Sequence, residues 1–259
     1  MIYPDWPAPA NVLAVSTTRQ APAGAAVASC GGYAEFNLAS HVGDAPAAVA
    51  ANRGVLLEQF GADVHAVQWL NQVHGVEVFC AGGGVGGVPD ADAVICREPG
   101  QAVAVLTADC LPVLFCDRDG REVAAAHAGW RGLCNGVLVN TISAFKAPPA
   151  QLMAWLGPAI SSRHFEVGAE VRADFLGRFT GPESSCVDRA FVPCAGAPDK
   201  YLADLYQLAR LQLKSLGVDA IYGGGHCTVS DETLFYSYRR QPRCGRQASV
   251  IALRAGGYF

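Results

Sequence analysis

The sequence lacks the features that mark secreted, membrane-spanning and nucleic-acid-binding proteins. Charged residues make up only 16% of the 259 residues and the formal net charge is -4, so no basic surface for nucleic acid is expected. No apolar stretch approaches the length of a membrane span, and the N-terminal residues show no basic start followed by an apolar core. We therefore expect a cytoplasmic protein with neither nucleic-acid nor membrane partners.

Cysteine and histidine occur without the short spacings of common metal and disulfide sites. None of the ten cysteines forms a Cys-x-x-Cys pair, and the chain is too long for a disulfide scaffold. The six histidines include no His-x-His pair and no His-Glu-x-x-His motif. Because 51% of the residues are hydrophobic, the composition indicates a sizeable core, and we expect one domain over residues 1–259.

The middle of the chain alternates short apolar runs with polar residues. The run 102–106 stops at Thr107-Ala108-Asp109-Cys110, a second run covers 113–116, and a third covers 123–126 and ends in His127. Short apolar runs bounded by turn residues indicate buried strands. A thiol and an imidazole are thereby predicted at strand ends, where a rigid sheet can hold them. We expect the core of an active site here.

Helical and strand-like segments are mixed along the chain without an internal repeat. Helices are predicted from Gly132 to Phe145, from Tyr201 to Leu216, and from Ala45 to about Phe60 with Asp44 as its cap. Residues 181–200 are expected to be irregular. The predicted fold class is a single α/β (α+β) domain, a layered sandwich of mixed β-sheets flanked by helices.

A glycine-rich stretch formally matches a dinucleotide-binding fingerprint at Gly82, Gly84 and Gly87. Such a fingerprint must open a helix whose N-terminus holds the phosphates. Here Pro89 and another strand, predicted over 93–96, follow instead. We therefore predict a loop without a nucleotide-binding role.

Two chemistries fit the polar residues near the central strands. His74, Cys110 and His127 form a known three-ligand set for a catalytic zinc, with the fourth position open. Alternatively, Cys110 is a nucleophile that His127 activates. Asp109 either orients an imidazole or terminates a strand. The spacing of these residues alone leaves both chemistries open.

Arginines are the candidates for holding an anion, because the planar guanidinium suits phosphate and carboxylate. Arg131, which follows His127 closely, is the most suggestive. Others could serve either an anion or a structural ion pair, and these are Arg53, Arg239, Arg240 and Arg246.

The remaining histidines and cysteines lack a comparable sequence context. His65 and His164 are interpreted as structural. His41 and His226 sit in glycine-flanked loops, where they could line a site, although a surface role is favoured. The nine cysteines other than Cys110 are interpreted as core residues, because free cysteine is among the most buried residue types.

A series of motifs distributed over nearly the whole chain carries a family resemblance. They are Phe36-Asn37-Leu38, Val42-Gly43-Asp44, Asn71-Gln72-Val73-His74-Gly75, Thr107-Ala108-Asp109-Cys110-Leu111-Pro112, His127-Ala128-Gly129-Trp130-Arg131-Gly132, Gly157-Pro158-Ala159-Ile160, Phe165-Glu166-Val167-Gly168, Phe235-Tyr236-Ser237-Tyr238-Arg239-Arg240 and Gly245-Arg246. In this order they resemble the YfiH family, also called the polyphenol-oxidase or laccase-domain family and described as purine nucleoside phosphorylases. One departure is Gln247, where methionine is more usual in the family.

The resemblance implies a single α/β domain that binds one zinc ion through His74, Cys110 and His127, with copper as the less favoured metal. It also implies phosphorolysis of adenosine, guanosine, inosine and methylthioadenosine, and deamination of adenosine. The expected partners are purine nucleosides and phosphate, and the expected state is a monomer or homodimer.

Roles for further residues follow from this implied chemistry. Asp109 is expected to shuttle a proton, and Arg131 to hold phosphate. The expected substrate-binding residues are Asn37 and Gln72 for sugar or base, with Arg53 and Arg240 as further phosphate ligands.

Three other functions are weighed against this one. A copper-dependent phenol oxidase is disfavoured, because a multicopper centre needs many imidazoles and the chain has six histidines and no His-x-His pair. A metal-free Cys-His hydrolase or amidase, acting for instance on a cell-wall precursor, is the main alternative. A non-catalytic ligand-binding or scaffold protein is the least expected.

Overall fold

A computed structural model describes residues 1–25, 29–83, 87–179 and 184–256. Strands and helices both occur throughout these ranges. The strands are β1 (Val12–Ser16), β2 (Ala66–Gln68), β3 (Val78–Ala81), β4 (Ala93–Cys96), β5 (Gln101–Thr107), β6 (Leu111–Asp117), β7 (Val123–Ala128), β8 (Leu152–Leu156), β9 (Glu166–Gly168), β10 (Phe191–Cys194), β11 (Ala197–Ala203), β12 (Ala220–Gly223) and β13 (Gln247–Leu253).

The helices lie mostly in the second half of the chain. They are α1 (Pro46–Glu58), α2 (Trp130–Asn135), α3 (Val137–Ser143), α4 (Ala169–Arg178), α5 (Ser184–Asp188) and α6 (Leu205–Ser215). Short 3₁₀ turns occur at Gly31–Tyr33, Gly61–Asp63 and Pro149–Gln151. None of the helices in the described ranges is long and apolar enough to cross a bilayer.

Two mixed sheets form the centre of the molecule. The four-stranded sheet has the order β1-β13-β5-β2, in which β2 runs parallel to β5 and the other pairs are antiparallel. The six-stranded sheet has the order β12-β8-β6-β7-β4-β3, with parallel pairs at both edges and antiparallel pairs between them. A smaller antiparallel sheet has the order β10-β11-β9. This arrangement confirms the predicted layered α+β fold with mixed sheets.

The alternation of side chains along the strands explains why the sheets stack. In β6, Leu114 and Cys116 point to the core between the two large sheets, where they join Val103 of β5. The intervening Val113 and Phe115 belong to a second core, shared with the helices. Successive side chains of a strand point to opposite faces, so a strand that is apolar on both faces needs a layer on each side.

Helix α1 supplies the outer layer on the other large sheet. Leu56 of α1 packs with Ala104 of β5 and Val250 of β13 in a third core cluster. Helices α2 to α6 contribute to the cluster on the far face of the six-stranded sheet. The layers therefore run from α1 through the two large sheets to the remaining helices.

Two helices differ from their predicted bounds or caps. The helix predicted from Gly132 to Phe145 is divided into α2 and α3 by Gly136, whose φ of 102° lies in the left-handed region. Helix α1 begins at Pro46, and Asp44 makes no cap to it. The Oδ2 atom of Asp44 instead accepts hydrogen bonds from Ser29 and Asn37, which hold the preceding loop.

The prediction of an irregular segment at 181–200 was wrong for its described part, which contains α5, β10 and the beginning of β11. Strand β11 is largely exposed, so its sequence lacks the apolar alternation that predicts a strand. This strand extends to Ala203. The helix predicted to begin at Tyr201 therefore begins at Leu205. Asp204 caps that helix by accepting the N–H of Gln207 at 2.9 Å.

The glycine-rich stretch that resembles a dinucleotide fingerprint lies partly outside the described residues. Gly82 and Gly87 are described, whereas Gly84 is not. Strand β4 occupies Ala93–Cys96, as the sequence predicted.

The hydroxyl of Tyr206 links two loops that leave the six-stranded sheet. It accepts the N–H of Ala159 at 2.8 Å and lies 2.8 Å from the carbonyl oxygen of His226 and 3.0 Å from that of Gly157. Tyr206→Phe removes these bonds and leaves buried polar groups unpaired. We expect the free energy of unfolding to fall by about 1–3 kcal/mol, measured by urea denaturation.

Tyr3→Phe is the matched control, because this tyrosine is 71% exposed. Its expected effect is within about 0.5 kcal/mol. Equal effects of the two substitutions would show that the buried hydroxyl does not stabilise the fold.

Candidate active site

A cavity of ≈ 310 Å³ opens where β5 ends and β6 begins. Its volume lies near the lower end of the range for small-molecule sites. Its walls combine titratable, cationic and aromatic side chains. The lining residues are His41, Gln72, His74, Leu106, Thr107, Ala108, Asp109, Cys110, His127, Ile160, Phe165, Tyr238, Arg239 and Arg246.

The thiol and the two imidazoles predicted as metal ligands meet in this cavity. Cys110 directly precedes β6 and His127 lies near the end of β7, and the pairing of Leu111 with Ala128 brings these two strand ends together. The Sγ atom of Cys110 lies 3.9 Å from Nε2 of His74. The ligand atoms of His74, Cys110 and His127 all lie within 4.8 Å of one another.

The backbone is unusual at two residues of this site. His74 has a φ of 59° and Asp109 a φ of 92°, and they are the non-glycine residues with positive φ in the described ranges. Side chains with a Cβ rarely adopt this conformation, at a cost of about 1–3 kcal/mol each. Such strain persists where surrounding bonds over-determine it, and it concentrates at functional sites.

Asp92 provides those surrounding bonds for His74. This buried carboxylate accepts the N–H of Val73 at 3.1 Å, of His74 at 3.0 Å and of Gly75 at 2.6 Å. Its Oδ1 also lies 2.8 Å from Nδ1 of His127. Since a carboxylate only accepts, Nδ1 of His127 carries the proton and Nε2 is left to face Cys110. Sequence reasoning missed Asp92, and its only signal was a carboxylate just before β4.

These contacts determine the charge of Cys110 and of His127. Burial favours the neutral thiol, but the positive His127 and hydrogen bonds from both imidazoles outweigh it and lower the pKa of Cys110 to about 6. Burial opposes charge on His127 as well, but Cys110 and Asp92 raise its pKa to about 9. Without a metal, the pair is therefore a thiolate and an imidazolium near neutral pH.

Burial also opposes the charge of Asp92. The hydrogen bond and the positive charge of His127, with the N–H groups of Gly75 and Val73, outweigh it and lower the pKa of Asp92 below its usual range. The carboxylate is therefore ionised wherever the protein is folded at neutral pH.

Gly129 leaves room for the site. A Cβ atom there would lie 3.0 Å from Sγ of Cys110, 3.3 Å from Cδ2 of His74 and 3.6 Å from Nε2 of His127. The space enclosed by the three ligand atoms is thus bounded by bare backbone, so any larger residue would fill it.

Asp109 and Gln72 line the cavity, but their polar atoms are engaged with the protein. The carboxylate of Asp109 accepts the hydroxyl of Thr228 at 2.6 Å and the N–H of Arg239 at 2.6 Å. The side-chain amide of Gln72 exchanges two hydrogen bonds with the backbone of Leu106, at 2.7 and 2.8 Å. Both residues hold the wall of the cavity in place.

The structure places Asn37 and Arg53 behind the cavity rather than in its lining. Buried Asn37 accepts the N–H of Arg246 at 2.9 Å and so fixes a residue that does line the cavity. The guanidinium of Arg53 donates to the carbonyl oxygen of Leu38 at 2.9 Å and stacks over Trp69 at 4.1 Å.

Arg131 and Arg240 are likewise absent from the lining. Arg131 follows the turn into α2, is exposed, and stacks over Trp130 at 4.4 Å. Arg240 donates to the carbonyl oxygens of Thr228 at 2.8 Å and Phe235 at 2.6 Å, which hold one loop to another. Its guanidinium group is therefore hydrogen-bonded to backbone carbonyl oxygens.

Arg239 and Arg246 give the cavity a cationic wall, and His41 also belongs to the lining. Arg239 donates to the carbonyl oxygens of His164 and Glu166, and Arg246 to that of Cys244. Sequence reasoning left the two arginines undecided and favoured a surface role for His41 over a place in the site; His41 is exposed and also lines the cavity. Burial, and then the charge of Arg246, lower the pKa of His41.

Thr107 belongs to the cavity lining and carries a buried hydroxyl. Its Oγ1 atom is buried and has no hydrogen-bond partner in the structure. A buried hydroxyl without a partner is costly unless water or a ligand satisfies it. Phe165 and Tyr238 add aromatic surface to the same lining.

Comparison with known proteins extends over almost the whole chain. A family model described as "Multi-copper polyphenol oxidoreductase laccase" matches residues 14–254. A Pseudomonas aeruginosa protein named purine nucleoside phosphorylase PA4543 is 48% identical over 253 residues, covering 98% of each chain. The Escherichia coli purine nucleoside phosphorylase YfiH is 46% identical and also covers 98% of each chain.

Solved structures show the same fold. Neisseria meningitidis protein NMB0706 superposes with a TM-score of 0.88 at 51% identity, covering 97% of this chain and 98% of that one. YlmD from Geobacillus stearothermophilus gives a TM-score of 0.85 at 30% identity, covering 95% and 93%. These similarities confirm the resemblance drawn from the motifs.

The pKa of Cys110 predicts the pH dependence of its alkylation in metal-stripped protein. The iodoacetamide reaction should slow as the pH falls through about 6 and be constant above about 7.5, because only the thiolate reacts. Peptide mass spectrometry separates Cys110 from Cys116, whose pKa burial raises to about 12 and which should stay unlabelled. His127→Gln should move the midpoint upward, and an unchanged midpoint would contradict the pairing.

Asp92→Asn should destabilise the protein. The substitution replaces one carboxylate oxygen with an NH₂ group, which cannot accept the backbone and imidazole N–H groups that bind there. We expect a loss of about 3–5 kcal/mol in the free energy of unfolding at neutral pH. Asp92 has a lowered folded pKa, so its contribution is present above the unfolded value of about 3.9 and disappears as pH falls through the folded pKa.

Denaturant titrations of both proteins between pH 3 and 7 test this. Asp90→Asn is the matched control, because Asp90 makes an exposed hydrogen bond to Asn71. Its expected effect is within about 0.5 kcal/mol. A loss for Asp92→Asn no larger than for Asp90→Asn would remove Asp92 from its organising role.

Proposed function

The chain belongs to the family described as multi-copper polyphenol oxidoreductase laccase, and we propose that it catalyses the phosphorolysis of purine nucleosides with zinc held by His74, Cys110 and His127. One observation carries this proposal: the cavity that holds the thiol and two imidazoles also has a cationic wall and an aromatic lining. The proposed substrates are adenosine, guanosine, inosine and methylthioadenosine, with phosphate as the second substrate.

The donor set fits a single metal ion. Two imidazoles and a thiolate are a known catalytic zinc set, and the same set also suits one copper ion. A multicopper centre needs further histidine ligands. In the part of the chain that the structure describes, the only group of three or more potential ligands is His74, Cys110 and His127. We therefore propose zinc rather than multicopper chemistry.

The residues around the ligands prepare the site for a metal. The lowered pKa of Cys110 makes the thiolate available at neutral pH. Asp92 fixes the ring of His127 with Nε2 towards Cys110 and fixes the backbone of His74. A zinc ion bound there supplies Lewis-acid chemistry to the cavity. Gly129 keeps the space between the ligand atoms clear.

The cationic wall is proposed to hold phosphate. Arg239 and Arg246 belong to the cavity lining, and a guanidinium group suits the charge and geometry of an oxyanion. This assignment replaces Arg131, which is exposed on the outside, and leaves Arg53 and Arg240 as supports of neighbouring loops.

The nucleoside is proposed to occupy the remaining lining. Phe165 and Tyr238 offer surfaces against which a purine ring can pack. During phosphorolysis a phosphate oxygen bonds to the anomeric carbon while the bond from that carbon to the base breaks. The guanidinium groups then serve to hold the phosphate at the reacting carbon.

Adenosine deamination is proposed as a second activity of the same cavity. Asp109 is a carboxylate in the lining and is the candidate for moving the proton. Its two hydrogen bonds to Thr228 and Arg239 also give it a positioning role. Incubating adenosine with and without phosphate, followed by chromatography, separates adenine plus ribose-1-phosphate from inosine.

A metal-free Cys-His hydrolase is the alternative that the geometry also supports. The paired thiolate and imidazolium of Cys110 and His127 resemble an activated nucleophile. Such an enzyme would be indifferent to chelators and rapidly alkylated as isolated. A zinc thiolate would be protected until the metal is removed.

Cys110→Ala should abolish both metal binding and nucleoside turnover, because it removes one of three ligands. Elemental analysis and inosine phosphorolysis measure the two effects. Cys80→Ser is the control, because this exposed cysteine lies outside the cavity. A Cys110→Ala protein that kept both stoichiometric zinc and turnover would refute the ligand assignment.

Arg246→Gln should raise the KM for phosphate by about tenfold or more, because a charged hydrogen bond is lost. The KM for inosine should change much less. Arg131→Gln should leave both constants unchanged, since its guanidinium stacks on Trp130 outside the cavity. Steady-state kinetics with each substrate varied in turn test this, and a phosphate effect confined to Arg131→Gln would reverse the assignment.

A further inference from the structure

A second cluster of nucleophilic and titratable side chains lies outside the cavity lining. Its members are Ser161 and His164, in the loop after β8, and Cys227 and Ser230, in the loop after β12. The Sγ atom of Cys227 lies 3.0 Å from the Ser161 hydroxyl and 3.5 Å from Nδ1 of His164. The hydroxyl of Ser230 lies 3.5 Å from the same nitrogen. A thiol, an imidazole and two hydroxyls therefore converge.

The two loops of the cluster are joined to each other. A β-bridge pairs Ala159 with Cys227, and the N–H of Thr228 donates to the carbonyl oxygen of Ala159 at 3.0 Å. Arg239 donates to the carbonyl oxygen of His164, and the N–H of Asp231 donates to that of Cys227. The thiol and the imidazole are thus held together by backbone bonds on both sides.

These contacts favour the thiolate of Cys227. Burial opposes the charge, but hydrogen bonds from the side chains and backbone of Ser161 and Ser230 outweigh it and lower the pKa of Cys227 to about 6. The side chain is also accessible, since Cys227 is partly exposed whereas Cys96, Cys116, Cys134 and Cys244 are buried. A thiolate that is both stabilised and accessible is the reactive form of cysteine.

We propose that Cys227 is a site of reversible thiol–disulfide exchange with low-molecular-weight disulfides. The thiolate sulfur of Cys227 attacks one sulfur of the disulfide, a new S–S bond forms and the original S–S bond breaks. The departing thiolate takes the electron pair of the broken bond and a proton from water. A second thiol reverses the exchange.

The cluster makes this site distinct from the proposed metal centre. None of its four residues lines the cavity, and His74, Cys110 and His127 take no part in it. It connects to the cavity lining through Arg239, which donates to the carbonyl oxygen of His164, and through Thr228, whose hydroxyl bonds to Asp109. The proposal therefore stands or fails independently of the enzymatic activity.

The expected selectivity follows from ionisation. At pH 6 about half of Cys227 is thiolate, compared with below about 1% for a thiol with a pKa of about 8.5. The lower intrinsic nucleophilicity of a low-pKa thiolate offsets part of this difference. We expect Cys227 to react about tenfold faster than the exposed cysteines Cys30 and Cys80.

The test is a time course of the full-length protein with oxidised glutathione at pH 6, read by peptide mass spectrometry. Rates at Cys227, Cys30 and Cys80 are compared within one sample, so the comparison needs no variant. Mixed disulfide at Cys227, formed about tenfold faster and released by dithiothreitol, supports the proposal. A rate at Cys227 no greater than at Cys30 and Cys80 overturns it.

Two variants test the cause of the reactivity. Ser161→Ala removes the 3.0 Å hydrogen bond to the sulfur, and His164→Gln removes the imidazole. Each should slow the reaction of Cys227 several-fold at pH 6 while leaving Cys30 and Cys80 unchanged, with unaltered circular dichroism. Unchanged rates at Cys227 in both variants would show that the cluster does not activate the thiol, and would overturn the proposal.

Discussion

The buried carboxylate of Asp92 is the interaction on which the candidate site depends. It precedes β4 and accepts N–H groups from three successive residues, Val73 to Gly75, as well as the imidazole of His127. Through these bonds it holds His74 in a left-handed conformation and selects the tautomer of His127. An ion buried in this way is tolerated because each oxygen is hydrogen-bonded. One side chain thus sets the orientation of two of the three potential ligands.

The cavity lining contains two chemically different groups of side chains. One is the thiol of Cys110 with the imidazoles of His74 and His127, and the other is the pair Arg239 and Arg246. Asp109 bonds to the backbone of Arg239, and Asn37 bonds to the backbone of Arg246, so buried polar groups position both cations. Residues that could contact a ligand are therefore positioned by other polar residues. This explains why Asn37, a polar residue of the family motifs, does not line the cavity itself.

The sequence predicted those features that depend on local pattern. The alternation of apolar runs placed Cys110 and His127 at strand ends, and the structure brings them together because β6 pairs with β7. The sequence pattern could not reveal the role of Asp92. The hydrogen-bond partners of Asp92 lie up to 35 residues away, and most are backbone N–H groups, which do not depend on residue type. The position of Arg131 was equally hidden, since the turn at Gly129 directs α2 away and lets the guanidinium stack on Trp130.

Strand β13 has a consequence for how the chain reaches its native state. It lies between β1 and β5 in the four-stranded sheet, and its contact with β1 joins residues 233 positions apart. During synthesis, β1 and β5 are made long before the strand that separates them, so each presents an unpaired edge for most of translation. Contacts of such sequence separation form slowly and leave apolar strands open to association. We therefore expect assembly of this sheet to be the step that is most sensitive to protein concentration and to chaperones.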